Sequence, residues 1–312
     1  MSVSNSLTKS NKGGKPQTFS AFLTSDAIKA RINNMVGGKD GQRFITSIIS
    51  AVSINPLLAE CDHSTILSAA MLGESLKLSP SPQLGQYYLV PFNDKKRGTK
   101  VAQFQLGYKG YIQLAIRSGY YKKLNVLAIK EGELIRFDPL NEEIEVELVQ
   151  DDTVRESLPT IGYYAMFEYQ NGFKKAMYWS REKMMAHADK YSMAFHADKY
   201  QELLEGKIPQ SEMWKYSSFW YKDFDGMAYK TMLRQLISKW GIMSIEMQQA
   251  MDGDMGAINE DGSVDYVDNS PEFVPADAST VIEGNVINVD PSTGEVFDAK
   301  ADDPTAAFFN EG

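Results

Sequence analysis

The hydrophobic period of the chain changes between Val101 and Tyr121. Ala102, Phe104 and Leu106 alternate with Gln103 and Gln105, which predicts a half-buried strand with one apolar and one amide face. After Gly107 the apolar positions fall at Tyr108, Tyr111, Ile112, Ala115 and Ile116, the spacing of an amphipathic helix, and Ser118-Gly119 supplies its stop. The opposite helix face then carries Lys109, Gln113 and Arg117 in one line. Two cations and an amide so placed match a row of phosphates, and a solvated face on a core helix has the same pattern.

The same reading extends in both directions. Helices are predicted near Asp26 to Met35, from Gln42 to Ser53 with the stripe Phe44, Ile45, Ile48, Ile49 and Val52, and from Ser64 to Lys77 with Asp62 or Ser64 as cap. Gln86 to Phe92 and Val101 to Leu106 predict a hairpin whose tip holds Lys95, Lys96, Arg97 and Lys100. Further strands are predicted at Leu124 to Lys130, Glu133 to Phe137 and Glu143 to Val149. A second hairpin runs from Ile161 to Trp179 around Asn171-Gly172, a pair that favours a type I′ turn. From Ser180 the chain turns helical, and Trp220 to Met251 reads as two helices interrupted near Gly241. There Lys230, Arg234 and Ser238 form a second cation-bearing line opposite Met227, Leu233, Ile237 and Trp240, with a structural salt-bridge role as the competing reading. The fold class is therefore α+β, a β-rich centre between N- and C-terminal helices.

Charge divides the chain more sharply than periodicity does. The net charge of −9 conceals a basic body and an acidic tail: residues 252–312 hold 15 Asp and Glu and a single Lys300, leaving 31 basic and 26 acidic residues before them. The expected organisation is a flexible arm over residues 1–18, a binding and oligomerisation core over 19–251, and a largely disordered acidic tail over 252–312. Within the tail, Phe308 and Phe309 are candidate anchors for a partner groove. A single cysteine and the lack of an apolar leader or a run of membrane-spanning length predict a soluble protein of the reducing cytoplasm.

Other chemistries find less support in the residues. The sequence HADKY occurs at His187 and again at His196, and on one continuous helix nine residues would set the copies on opposite faces, against a shared metal site. Cys61 stands beside His63, but neighbours in sequence do not supply a nucleophile-base geometry. A metal-dependent nuclease would draw on Asp138, Glu143 and Glu145, although alternation puts the two glutamates on an exposed strand face. No GxxxxGK[ST] loop for nucleotide phosphates is present.

Four blocks resemble the RecT family of phage single-strand annealing recombinases: Cys61-Asp62 with the following helix to Leu78; Gln83 to Phe92; Phe104 to Gly119, continued by Glu131-Gly132-Glu133; and Met227 to Arg234 through Ser244 to Gln248. The resemblance implies a mixed helix and sheet fold with DNA in a basic groove. It also implies ATP-independent binding and annealing of single strands in a bacterial host, with no cofactor, and assembly into rings or helical filaments. Implied partners are single-stranded DNA, the annealed duplex, a phage exonuclease and the host single-strand binding protein. The family's basic positions fall on Lys109, Arg117, Lys230 and Arg234. With the hairpin tip, Gln103, Gln105, Gln113, Lys122 and Lys123, these make up the expected DNA-binding set, and the acidic tail is the least family-like part. Protection of single strands without annealing is the alternative.

Overall fold

A computed structural model describes residues 18–192 and 194–266 and a short hairpin at 287–289 and 296–298. The expected arm up to residue 17, and Phe308 and Phe309, lie outside the described residues. The N-terminal helices are α1 (Phe19–Leu23), α2 (Asp26–Val36), α3 (Gly38–Ile54) and α4 (His63–Ser75). In α3 the apolar stripe is the packing face, with Phe44, Ile45, Ile48 and Val52 buried. Asp62 caps α4 by accepting from the Ser64 N–H at 2.9 Å, which satisfies one of the donors left open at a helix start.

The β-rich centre comprises β1 (Tyr87–Asp94), β2 (Thr99–Leu106), α5 (Tyr108–Ser118), β3 (Tyr121–Lys130), β4 (Leu134–Asp138), β5 (Glu143–Val146), α6 (Asp152–Ser157), β6 (Thr160–Tyr169) and β7 (Lys174–Ser180). The C-terminal part follows as α7 (Arg181–Tyr191), α8 (Ala197–Leu204), α9 (Phe219–Lys222), α10 (Phe224–Trp240), α11 (Ile245–Gly253), β8 (Gly256–Ile258) and β9 (Val264–Asp265). The detached hairpin pairs β10 (Ile287–Val289) with β11 (Val296–Asp298).

Every strand pair is antiparallel. One sheet has the order β1-β2-β8-β9, a second β3-β6-β7, and β4-β5 stands as a separate hairpin. Helix α10 packs on α5 and on all three strands of the second sheet. Its Ala228, Met232, Leu233, Leu236 and Ile237 are fully buried and meet Tyr163, Ala165 and Phe167 of β6, also fully buried, in the main core. Each large aliphatic side chain so buried contributes about 1.5–3 kcal/mol.

Three expectations change. The core does not end at residue 251: Gly256 and Ala257 pair with Phe104 and Gln103, so the start of the acidic segment supplies a strand to the first sheet. Sequence composition marks residues 252–266 as tail because their polar turns hide one short apolar run. That added strand makes β2 central, with α4 and α11 packed on it, so β2 is buried on both faces and not on one. The turn at Asn171-Gly172 is not type I′. Only Gly172 has a positive φ, 86°, and its N–H donates to the Tyr169 carbonyl at 3.0 Å, a three-residue loop that needs one left-handed residue and not two.

Candidate nucleic-acid interface

Helix α5 is built to show one face. Gly107 and Gly110 let its first turn lie against the preceding loop, since a Cβ on either would stand 2.2 Å from the carbonyl of Gly85 or Gln86. Gly119 ends the helix in the left-handed region at φ 75°. Tyr111, Leu114 and Ala115 are buried, while Lys109, Gln113 and Arg117 are exposed, as the helical spacing predicts.

The two cations of this row differ in what else they do. The Lys109 stem runs along Gly85, and its ammonium lies 5.9 Å from the Tyr108 ring centre. Arg117 is anchored: its guanidinium donates to the carbonyls of Leu76 at 2.5 Å, Lys77 at 3.4 Å and Gln113 at 3.3 Å, completing the open C-terminal end of α4. The residue is nonetheless exposed, as are Ile116 and Tyr120.

The hairpin tip stands elsewhere. Lys95 and Lys96 are exposed at the far end of β2, about 24 Å along the strand from α5 at the usual rise per residue. Arg97 is held by Asp94, Asp265 and Asn259, and Lys100 pairs with Glu60. Gln103 and Gln105, expected on an open amide face, are buried at 1% and 8% exposure because β8 and the flanking helices enclose β2.

The second cation row turns inward. Lys230 Nζ meets Asp254 Oδ1 at 2.8 Å and Arg234 meets Oδ2 at 2.7 Å, while the Leu106 N–H donates to Asp254 at 2.8 Å. Burial pulls the Lys230 pKa down, and Asp254 holds against that effect. Asp254 also receives the fully buried Tyr111 hydroxyl at 3.4 Å. Sequence reasoning missed it because a lone aspartate in an acidic tail carries no pattern.

At the start of β3, Lys122 and Lys123 both approach Glu168 of β6, at 2.6 Å and 3.8 Å, and Lys174 of β7 reaches the same carboxylate at 3.9 Å. Glu168 and Lys174 were absent from the expected set; their signal, a glutamate between two lysine-bearing strands, exists only once the register is known.

Cys61 is buried, and burial raises its thiol pKa to about 12, which leaves it a poor nucleophile. The two HADKY copies do not share one helix, since α7 ends at Tyr191 and His196 caps α8. Asp138 accepts from the Leu140 and Asn141 N–H groups of its own turn. Among the described residues no cluster of three His, Cys, Asp or Glu is arranged to hold a metal, and no helix is long and apolar enough to cross a membrane.

The cation-bearing face of α5 is thus followed along the chain by a lysine-bordered sheet end. The RecT family profile matches residues 42–265, and the chain belongs to the RecT family, which supports its assignment as a recombination-associated single-strand annealing protein. It is 36% identical over 309 residues to the uncharacterized protein YqaK of Bacillus subtilis, covering 96% of this chain and 94% of that one. It is 27% identical over 215 residues to protein RecT of Escherichia coli, covering 68% and 71%.

Proposed function

We propose that this protein coats single-stranded DNA along the exposed face of α5 and anneals it to a complementary strand as a multimer, a ring or helical filament, without nucleotide hydrolysis. The observation that carries the proposal is the outward row Lys109, Gln113 and Arg117, continued by Lys122 and Lys123 at the start of β3. Two complementary strands repel through their phosphates, and cations on a fixed helix face lower that barrier while leaving base edges free to pair. The protein itself breaks no covalent bond. Sequence selection is left to Watson-Crick pairing, which tolerant lysine and glutamine contacts suit.

Lys95 and Lys96 at the hairpin tip form a second contact zone, reached by a longer strand or by the DNA on a neighbouring protomer. Arg97 and Lys100 join it on exchanging their carboxylate partners for phosphate. Lys230 and Arg234 support α5 through Asp254, which also holds Tyr111, and Gln103 and Gln105 act by packing within β2. Phage exonuclease and host single-strand binding protein are the proposed partners in the bacterial cytoplasm, with Phe308 and Phe309 as their anchor. The test mixes complementary oligonucleotides with purified protein and no nucleotide. Faster duplex formation is the expected result; binding that slows duplex formation marks a strand-protecting protein, and no change at modest salt overturns the proposal.

A further inference from the structure

The end of the β3-β6-β7 sheet carries an arrangement that sequence spacing does not produce. Lys122 and Lys123 are consecutive and on a regular strand would point to opposite faces. The register between β3 and β6 slips between the pairs Tyr121-Tyr169 and Lys123-Glu168, so Lys122 is the extra residue of a β-bulge. The bulge turns both lysines toward one side. Across β6, Lys174 of β7 is the direct register partner of the same Glu168.

One carboxylate therefore serves three ammonium groups at 2.6, 3.8 and 3.9 Å. Elsewhere on the surface the common ratio is one to one, as for Lys199 with Glu202 or Lys215 with Glu212. The Glu168 side chain is only 6% exposed, whereas those of Lys122, Lys123 and Lys174 are 51%, 64% and 64% exposed. The negative charge is sunk into the sheet and the positive charges stand above it, two of them uncompensated. Phe173, braced by the rings of Phe167 and Tyr169, belongs to the opposite face of the sheet, so the lysine cluster stands apart from it. Three exposed cations gathered at one carboxylate suit the phosphates of a nucleic-acid strand.

We propose that Lys122, Lys123 and Lys174, gathered around Glu168, form a binding site for the phosphodiester backbone of single-stranded DNA, with Glu168 trimming its strength. The site rests on the reading of this chain as a single-strand binding protein and adds Lys174 and Glu168 to it. Lys122 follows Arg117 by five residues, a reach of at most about 17 Å, so a strand leaving the α5 row meets this site next. An ammonium array held by one buried carboxylate exchanges phosphates readily, because the lysines keep a partner when the DNA departs.

The test measures binding of a labelled mixed-sequence oligonucleotide to the full chain across a salt series. Lys174→Ala is expected to weaken binding and lower the log-log salt slope by about 0.7, the value of one single-strand phosphate contact, with no change in thermal midpoint. Lys174→Gln, which keeps the stem over the sheet, gives the same slope change. Glu168→Gln is expected to tighten binding severalfold at low salt. Unchanged slopes in both Lys174 variants, with Lys109→Ala still weakening binding, overturn this site and leave the single-strand reading standing. Loss of polyglutamate binding in Lys174→Ala with an unchanged DNA slope overturns it in favour of an acidic protein partner. If the unaltered protein fails to bind the oligonucleotide, the single-strand reading falls first and the site with it.

Discussion

The Asp254 carboxylate lies 2.8 Å from the Lys230 ammonium, with both side chains buried, and it fastens the chain beyond α11 to the centre of α10. Helical spacing leaves Lys230 either in an outward cation row or in a structural salt bridge, and composition assigns Asp254 to the acidic tail. Their contact, reinforced by Arg234 and the Leu106 N–H, makes residues 252–258 part of the core.

Removing one partner of a buried ion pair leaves an uncompensated charge, so Asp254→Asn is expected to cost about 3–5 kcal/mol of stability. Truncation after Met251, which removes Asp254 and β8 together, lowers the thermal midpoint at least as far. Truncation after Tyr266 keeps both and is expected to preserve it. Equal midpoints for the two truncations, followed by circular dichroism, contradict the role given to Asp254.

Lys109 and Arg117 lie on one helix face, but their substitution should read out differently. Lys109→Ala removes an exposed cation and is expected to lower the salt slope of single-strand binding by about 0.7 at constant thermal midpoint. Arg117→Ala also strips the carbonyls of Leu76 and Lys77 of their donor, and is expected to lose about 1–3 kcal/mol of stability as well. Paired salt titrations and thermal melts separate the two.

Glu133 is a buried carboxylate bound by Arg155 at 2.6 Å and by the Lys130 and Val149 N–H groups at 2.8 and 3.1 Å. Burial pushes its pKa up, and these hydrogen bonds outweigh burial and hold it below the ordinary glutamate value. A depressed carboxyl stabilises the fold fully above its unfolded-state pKa, about 4.3, and loses that contribution as pH falls through the lower folded value. Acid unfolding should therefore steepen below about pH 4.3, and Glu133→Gln should flatten that limb while lowering stability at pH 7.

His187 sits between the rings of Trp179 and Tyr191, and burial lowers its pKa from 6.5 to about 4. The folded state then binds fewer protons than the unfolded state between these values, so stability falls as pH drops from 6.5 toward 4. The loss is at most about 3 kcal/mol, since the ring is only partly enclosed. Denaturant midpoints of the unaltered chain should fall from pH 6.5 to pH 4 relative to those of His187→Phe, which lacks the ring that titrates in that window; a constant difference between the two contradicts the assignment.

Periodicity, with the turn signals of Asn171-Gly172 and Gly241, determined the helix after Gly107, the stripe of α3, both main hairpins and the break at Gly241, because local apolar spacing reports which face of one element is buried. It also placed Lys109, Gln113 and Arg117 on the outward face of α5. It could not say whether a polar face meets water or another layer, since that depends on residues far away in sequence. Gln103 and Gln105 are buried only because β8 arrives from beyond residue 251. Lys230 and Arg234 are engaged only because Asp254 arrives with it. The three lysines at Glu168 converge only because a bulge and the β6-β7 register bring two distant segments to one carboxylate. Charge on a local pattern is ambiguous until the partner is placed, and placing the partner is the work of the tertiary fold.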